Sequence, residues 1–301
     1  MDRFSGIAEF VAAVETGSFR GAGQRLGLTT SGISKAVARL EQRLGSVLLN
    51  RTTRSLHLTG MGAEFFPEAR RLLRQLEELE AGLTQAKDEL RGRLRVEAPP
   101  AFGRLVVMPA LPRFLLAYPG IELQLFLRDR LVDLAEEGID AAIRTGALQP
   151  STLVARRLGA TRFVTCAAPA YLTRAGVPRT PEELLQHNCL GYVPSHATRP
   201  RSWRFARDGA PWSTQPTGSL ALDSTEGLAE AALQGVGIIQ VLDFVVTGPI
   251  RQGLLLPVLE EWAGPERPIS LVYAASSRRT AKVQAFSEFA AGLLPMKAGT
   301  S

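Results

Sequence analysis

The chain contains few of the residue types that build disulfide, metal or membrane structures. Its 301 residues include only 2 cysteines and 3 histidines, which is too few for a disulfide framework or a zinc site of ordinary spacing. The most apolar stretch, residues 231–242, is interrupted by glutamines and glycines, whereas a membrane-spanning helix needs about 20 apolar residues. The first ten residues lack the apolar core of a signal peptide. We therefore expect a cytoplasmic protein without a membrane segment, metal or cofactor.

Catalytic motifs are lacking as well. Gly235 and Gly237 are not followed by the third glycine of a dinucleotide fingerprint, and no glycine-rich phosphate loop with lysine occurs. His187 and Cys189 alone are too sparse for a metal site, and no histidine partner can be placed for Cys166. We expect no enzyme and no catalytic residues. The thiols are either buried and reduced or redox-sensing.

The basic residues are concentrated at the start of the chain. With 45% hydrophobic and 21% charged residues the protein is globular, and its length favours two or more domains. Residues 1–60 hold eight basic and four acidic side chains, a net charge of +4 out of +6 for the whole chain. A compact basic module of this size most often binds a polyanion.

Three short helices are predicted within the first 45 residues. The first ends at Gly17, Ser18 caps the second, and Thr29, Thr30 or Ser31 caps the third, which ends at Gly45. Three such helices with a tight second turn are typical of a helix-turn-helix. The residues predicted to face inward are Phe4, Ile7, Ala8, Val11, Val14, Phe19, Ala22, Leu26, Ile33, Val37, Leu40 and Leu44.

The third helix and the segment after it form a candidate DNA interface. The helix face opposite Ile33 is small and polar, which suits a major groove, although an ordinary solvated face has the same pattern. Residues 48–59 read as a β-hairpin wing with two arginines that would contact phosphates or a minor groove. The candidate base-reading residues are Thr30, Ser31, Ser34 and Lys35, and the candidate phosphate-binding residues are Arg39, Arg51, Thr52 and Arg54.

A long amphipathic helix follows the wing. Apolar residues from Phe65 to Leu90 are spaced alternately four and three apart, which is the seam of a dimeric coiled coil. The alternative is a single amphipathic helix packed on its own domain. The seam residues are Phe65, Ala69, Leu72, Leu76, Leu79, Leu83, Ala86 and Leu90.

The sequence resembles the LysR-type transcriptional regulators. The resemblance rests on a pattern in the first 62 residues and continues through the rest of the chain. In the first part, the matching residues are Ser18, Phe19, Ala22, Leu26, Ser34, Leu40, Glu41, Leu44, Gly45, Leu48, Arg51, Thr52, Arg54, Leu58, Thr59 and Gly62. In the second part, they include Gly92–Val96, Pro109–Leu111, Tyr118–Pro119, Glu137–Asp140, Ile143–Arg144 and Gly235–Ile238.

This resemblance implies a mixed fold. An N-terminal all-α winged helix-turn-helix (1–59) would be followed by a long linker helix for dimerisation (60–91). The C-terminal part (92–301) would be an α/β sensor of two subdomains, similar to periplasmic solute-binding proteins. Subdomain I would comprise 92–163 and 268–301, and subdomain II 164–267. The family usually assembles as a homotetramer built from homodimers.

The predicted function is sequence-specific, DNA-binding regulation of transcription, modulated by a small-molecule effector bound between the two subdomains. The expected partners are double-stranded DNA, the effector and a second copy of the chain, and RNA polymerase is a further candidate. The alternative from another class is a small-molecule binding protein whose N-terminal helices serve only for assembly.

Candidate effector-binding residues follow from the strand pattern of residues 93–301. Short apolar runs alternate with helical segments, including a helix near 105–116, which predicts parallel sheets with helical crossovers. Ligands in such folds bind beyond the carboxyl ends of strands. Arg144 has a structural alternative as the partner of Asp140 or another carboxylate, and Asp223 and Ser224 have one as helix caps. The candidates are Pro100, Ala101, Phe102, Arg144, Thr145, Asp223 and Ser224.

Three further segments are predicted from composition and placement. Residues 162–166 and 268–273 are strand-like and would connect the two subdomains as hinges. Residues 203–212 read as an added hairpin whose aromatic side chains form a local core.

Overall fold

The computed structural model describes residues 6–51, 56–83, 90–128, 134–194, 197–207, 209–275, 277 and 280–294. Contacts within the chain divide it into two compact units. One comprises residues 1–88 with 135–138, and the other comprises 89–134 with 139–301.

The first unit contains a helix-turn-helix followed by a hairpin and a long helix, as the sequence predicts. The two short strands pair antiparallel, with Leu49 opposite Leu58. The elements are α1 (Ile7–Thr16), α2 (Phe19–Leu26), α3 (Thr30–Leu44), β1 (Leu49–Arg51), β2 (Leu56–Leu58) and α4 (Gly60–Leu83).

Capping hydroxyls and one close backbone approach define the helix-turn-helix. Ser18 caps α2, and Thr29 caps α3 by accepting a hydrogen bond of 3.1 Å from the backbone N–H of Gly32. Between the two helices, a Cβ atom on Gly23 would lie 2.6 Å from the carbonyl oxygen of Leu28. Only glycine allows the turn to be this tight.

The core of this unit is apolar and centred on α1 and α3. Phe10, Ile33 and Leu40 are completely buried, which confirms the inward face predicted for α3. The prediction was wrong for Leu26 and Leu44, which are 37% and 41% exposed. Each is the last residue of its helix, where the apolar stripe has already turned away from the core. Phe4 lies outside the described residues.

Glu41 attaches the hairpin to α3. Its Oε1 atom accepts hydrogen bonds from the backbone N–H groups of Leu48 and Leu49, at 2.9 and 3.0 Å. Leu49 begins the first strand of the hairpin, Leu48 directly precedes it, and both are buried. The position of the wing relative to α3 is therefore set by one carboxylate on α3 itself.

Helix α4 packs on its own unit in its first turns, which is the alternative reading of its apolar seam, and the dimeric coiled coil stays a prediction. Its first turns pack on their own unit, with Ala69 buried and Phe65 tilted against Phe10 at 5.7 Å. Further along, Leu72 and Leu76 are 44% and 41% exposed. The seam does not reach Leu90 as predicted, because Leu90 is no longer helical and packs against the core of the second unit. Ala86 lies outside the described residues.

From residue 92 onward, strands and helices alternate. Up to the middle of the chain the elements are β3 (Gly92–Ala98), α5 (Pro100–Phe102), α6 (Met108–Ala117), β4 (Ile121–Leu127), α7 (Leu134–Glu137), β5 (Ala141–Thr145), β6 (Leu153–Thr161) and β7 (Phe163–Ala167). They continue with α8 (Pro169–Ala175), β8 (Cys189–Tyr192), β9 (Trp203–Arg207), β10 (Ala210–Thr214), β11 (Ala221–Leu222), α9 (Thr225–Leu233), β12 (Ile238–Leu242), α10 (Asp243–Arg251), β13 (Leu256–Val258), β14 (Arg267–Ala274) and α11 (Ala281–Ala291).

These strands form two five-stranded sheets built on one plan. The first has the order β4-β3-β5-β14-β6 and the second β11-β8-β12-β7-β13. In each sheet three neighbouring strands are parallel, the fourth strand (β14 or β7) runs antiparallel to them, and the fifth strand is antiparallel to the fourth. The predicted sheets are thus mixed rather than purely parallel. The reason is that β7 and β14, which bring the chain from one sheet to the other, run against the neighbours they join.

The predicted crossing strands and the added hairpin are present. β6 and β7 belong to different sheets and are separated only by Arg162, while β14 returns the chain to the first sheet. β9 and β10 form the hairpin, in which Trp203 and Phe205 are buried in a local core. Its aromatic residues therefore pack as expected.

The segment Pro100–Ala117 is one helix whose middle turn is π-helical. It begins five residues before the predicted start at 105. Its 18 residues have a mean hydropathy of 1.2, and it is the one described helix long and apolar enough to be considered as a membrane span. Phe102 and Phe114 are nevertheless buried against the first sheet, so one face of this helix packs on the core of the second unit.

We predict that Glu41→Ala destabilises the first unit by about 1–3 kcal/mol, because two buried N–H groups lose their acceptor. Urea unfolding followed by helical circular dichroism measures this. The matched control is Gln42→Ala, which removes an exposed neighbour. All 3 tryptophans lie between residues 203 and 262, so tryptophan fluorescence should show an unchanged second unit. Equal stability of the two variants would contradict the anchoring role.

Candidate DNA interface and ligand cavity

The amino-terminal half of α3 presents a polar, uncrowded face. Thr30, Ser31, Lys35 and Arg39 are exposed, and Ser34 is half-buried. The Oγ atom of Ser31 lies 3.2 Å from Oγ1 of the capping Thr29, within hydrogen-bonding distance. Ser34 and Lys35 follow Ser31 by three and four residues, so all three lie on one side of the helix. Five of the eight predicted DNA-contact residues are therefore on α3.

The electrostatics of this helix favour an anion at its start. The first turn of α3 carries no acidic side chain, and the positive end of the helix dipole lies there. Arg51 is the last residue of β1. This strand is attached to α3 by the hydrogen bonds that Glu41 accepts from the backbone of Leu48 and Leu49. Thr52 and Arg54 lie outside the described residues.

The second unit contains a cavity of about 900 Å³ between its two sheets. All seven predicted effector-binding residues line it: Pro100, Ala101, Phe102, Arg144, Thr145, Asp223 and Ser224. They lie after β3, at the end of β5 and after β11, which are carboxyl ends of parallel strands. The volume is within the range of about 300–1,000 Å³ that is typical of small-molecule sites.

Arg144 forms an ion pair, which was the structural alternative to an effector-binding role, and its partner is Glu97 rather than Asp140. Its Nη1 atom lies 2.7 Å from Oε1 of Glu97, and the two side chains are 12% and 0% exposed. Among the described residues, Oε2 of Glu97 has no hydrogen-bond partner. Asp140, the partner first considered, instead accepts a hydrogen bond from the backbone N–H of Arg95 at 2.7 Å. Arg144 thus both neutralises a buried carboxylate and reaches the cavity.

Ser224 is a helix cap as well as a cavity residue. Its hydroxyl accepts a hydrogen bond of 3.1 Å from the backbone N–H of Gly227 in the first turn of α9. This is the capping alternative that the sequence left open, and it leaves the neighbouring Asp223 to line the cavity.

Sequence reasoning missed several charged and aromatic residues of the cavity. Arg201, Arg204 and Arg267 all line it, as do Phe163 and Gln240. Arg204 lies in the segment 203–212 that was read only as a hairpin, and Arg201 lies just before it. Arg267 and Phe163 begin the two crossing strands. A usable signal was sequence position, because Phe163 lies in the predicted hinge 162–166 and Arg267 immediately precedes the predicted hinge 268–273.

The basic side chains of the cavity differ in how far they are neutralised. Arg104 directs both Nε and Nη2 to Oε1 of Glu226, at 2.7 and 2.6 Å. Among the described residues, no carboxylate forms an ion pair with Arg267. Burial first, and then the positive charges of Arg204 and Arg201, lower its pKa. The guanidinium of Arg267 therefore brings to the cavity a positive charge that no described carboxylate neutralises.

The two cysteines are buried and separated. Burial raises the pKa of both Cys166 and Cys189 to about 12, which leaves protonated, unreactive thiols. They lie on the two strands that flank β12, opposite Ile239 and Ile238, and therefore face opposite sides of the sheet. Two strand spacings separate them by roughly 9–10 Å, beyond the Cα separation of about 7 Å that a disulfide tolerates. This geometry opposes the redox-sensing alternative.

Metal ligands are not clustered in the part of the chain that the structure describes. Within it, no group of three or more His, Cys, Asp or Glu side chains is positioned to hold a metal ion.

A helix-turn-helix with a wing, followed by a two-sheet unit with a ligand-sized cavity, defines the class of DNA-binding regulators that carry a ligand-binding domain. Residues 5–63 match the lysR family of bacterial regulatory helix-turn-helix proteins, and residues 87–294 match the LysR substrate binding domain. The chain belongs to the LysR family of DNA-binding transcriptional regulators, which are not enzymes. The match removes the alternative in which the N-terminal helices serve assembly alone.

Individual relatives cover nearly the whole chain. The HTH-type transcriptional regulator YhjC of Escherichia coli (strain K12) is 35% identical, over 98% of each chain. An HTH-type transcriptional repressor of Pseudomonas aeruginosa is 36% identical, over 95% of this chain and 90% of its own. The structure of CrgA, a LysR-type regulator from Neisseria meningitidis, aligns with a TM-score of 0.63 at 32% identity, covering 95% of this chain and 97% of CrgA. These similarities confirm the mixed fold with an N-terminal helix-turn-helix and an α/β effector-binding domain.

We predict that Arg144→Gln lowers the free energy of unfolding of the second unit by about 3–5 kcal/mol, because Glu97 is left buried without its positive partner. Urea unfolding followed by tryptophan fluorescence measures the change. The double variant Glu97→Gln/Arg144→Gln removes both charges and is expected to recover most of the loss. If the double variant is no more stable than Arg144→Gln, the ion pair with Glu97 is not the source of the stability that Arg144 provides.

Proposed function

We propose that α3 enters the major groove of double-stranded DNA and reads base edges with Thr30, Ser31, Ser34 and Lys35. The observation that carries this proposal is the exposed polar face at the capped, acid-free start of α3. Small side chains at this point let the helix backbone approach the groove closely, and hydroxyl and ammonium groups donate to base acceptors.

The phosphate contacts in this proposal come from Arg39 and the wing. Arg39 lies one turn beyond Lys35 and is exposed, where it can reach the backbone beside the groove. Arg51, Thr52 and Arg54 are assigned to phosphates as well, because the wing that bears them is anchored to α3 by Glu41. Arginines placed on two elements fix the register of the helix on the duplex.

The cavity between the two sheets is the proposed effector site. Pro100, Ala101, Phe102, Arg144 and Thr145 would contact the effector from the first sheet, and Asp223 and Ser224 from the second. Occupancy would change the relative position of the two sheets about their crossing strands and so alter DNA binding. We place the protein in the cytoplasm with the DNA it binds, and include RNA polymerase as a further partner within reach of a promoter-bound regulator.

A homodimer through α4 is the proposed assembly, with a homotetramer as its extension. Leu72 and Leu76 lie four residues apart and remain exposed in the single chain, as coiled-coil seam positions do before pairing. The helix Pro100–Ala117 has a second exposed apolar row, including Leu116 at 82%, which could pair dimers. Two copies of α3 related by a twofold axis would recognise a pseudo-palindromic site.

We predict that Arg39→Ala weakens binding to all duplexes and reduces the slope of log affinity against log salt by about 0.9, the loss of one phosphate contact. Fluorescence anisotropy with the promoter fragment next to its own coding region, and with an unrelated duplex, measures both effects. Ser34→Ala should instead change the preference between the two duplexes. Arg251→Ala, an exposed arginine of the second unit, is the control, and a slope for Arg39→Ala equal to that of the control would contradict the phosphate role.

We predict that Leu72→Glu/Leu76→Glu dissociates the assembly, because glutamates at facing seam positions repel each other. Sedimentation equilibrium should give a lower oligomeric mass, and affinity for the promoter fragment should fall by about 100-fold as the second contact is lost. Leu185→Glu replaces an apolar residue that is 76% exposed elsewhere and serves as the control. An unchanged mass for the double variant would rule out α4 as the interface.

A further inference from the structure

Three arginines of the cavity lack a negative partner. Among the residues that the structure describes, no carboxylate forms an ion pair with Arg201, Arg204 or Arg267, although Arg104 and Arg144 in the same cavity each have one. Burial lowers the pKa of Arg267, and the positive charges of Arg204 and Arg201 lower it further, so both groups lie near enough to Arg267 to repel it. Such an arrangement costs free energy unless an anion joins it.

Specific contacts hold the side chains of Arg267 and Arg201. Arg267 lies over the ring of Phe163 at 5.4 Å and against Gly146, where an added Cβ would lie 2.3 Å from the guanidinium. Gly146 has a φ of 97°, a conformation that favours glycine. Arg201 lies over the ring of Tyr192 at 4.9 Å. Aromatic faces orient guanidinium groups and limit their motion.

Arg204 is held through its backbone by a buried amide. Gln240 is only 7% exposed, and its Oε1 accepts a hydrogen bond of 2.7 Å from the N–H of Arg204. Its Nε2 donates to the carbonyl oxygen of Arg204 and to Thr165, both at 3.1 Å. This clamp fixes the start of the hairpin to the centre of the second sheet, with the Arg204 side chain left exposed at the cavity. The side chains of Arg267 and Arg201 and the backbone of Arg204 are therefore held in place at the cavity.

The rest of the cavity wall is largely apolar. It includes two phenylalanines that meet across the two sheets, Phe102 and Phe244, with ring centroids 5.4 Å apart. Further apolar lining residues are Pro100, Leu148, Leu153, Phe163, Val245 and Val272. A small hydrated inorganic anion would leave this surface and most of the 900 Å³ unfilled. An apolar group attached to the anion would bury it.

We propose that the effector of this protein is an amphipathic organic anion, with a carboxylate or similar acidic group bound by Arg201, Arg204 and Arg267 and an apolar body against the phenylalanines. The proposal rests on the cavity being the effector site. Arg267 belongs to the first sheet, whereas Arg204 begins the hairpin attached to the second. One acidic group bound by both draws the sheets together, so charge recognition and closure are the same event.

The test uses two fluorescent probes that differ only in charge. One is 8-anilinonaphthalene-1-sulfonate, and the other is N-phenyl-1-naphthylamine, the same apolar body without its sulfonate. We expect the full-length protein to bind the anionic probe about tenfold or more tightly than the neutral one, because hydrogen bonds to charged groups contribute about 1.5–3 kcal/mol. Benzoate, but not benzamide, should displace the anionic probe.

Charge-removing variants locate the site. Arg204→Gln and Arg267→Gln should each weaken binding of the anionic probe by about tenfold while the affinity of the neutral probe stays the same. Arg251→Gln, which removes an exposed arginine elsewhere, should change neither affinity. Circular dichroism of each variant confirms that it is folded.

Two results would overturn the proposal: equal affinity of the two probes for the wild-type protein, or an unchanged affinity of both variants for the anionic probe. Binding of the promoter fragment is measured in the same samples. If anion selectivity fails while promoter binding is normal, the effector class is wrong and the DNA-binding proposal is unaffected. If promoter binding fails while anion selectivity holds, the DNA-binding proposal is wrong and the anion site is supported.

Discussion

Parallel strand pairing determines where this protein holds its charged side chains. β3 pairs in parallel with β4 and β5, and β8 with β11 and β12. Parallel strands require crossover connections, so all their carboxyl ends lie at one edge of each sheet. In this chain the two edges face one cavity, and the side chains that follow β3, β5, β11 and β12 line it. The ligand-binding capacity of the second unit depends on this pairing more than on any single residue.

Local signals were sufficient to predict the first unit. Its helix ends are set by Ser18, Thr29 and Gly45, and each acts within a few residues of its own position. The same holds for the hairpin after α3. The anchoring of that hairpin by Glu41 could not be predicted, because a hydrogen bond across seven or eight residues leaves no periodic pattern in the sequence. Helix ends were the weak point, as the exposure of Leu26 and Leu44 shows.

The cavity was predicted in its location but not in its charge. The rule that ligands bind beyond parallel strands led to Arg144, Thr145 and Asp223, which all line it. Arg201 and Arg204 reach the same space from a hairpin far along the chain, held there by the buried amide of Gln240. Contacts of this kind depend on the three-dimensional path of the chain, so the spacing of residues in the sequence does not predict them.

The placement of the two cysteines on either side of β12 has a consequence for the environments in which the regulator can work. The two thiols face opposite sides of the sheet and have β12 between them, so oxidising conditions cannot join them in a disulfide. Both thiols are also protonated, so neither reacts readily as a nucleophile. The two sulfurs instead act as small space-filling groups in the apolar layers on either side of this sheet.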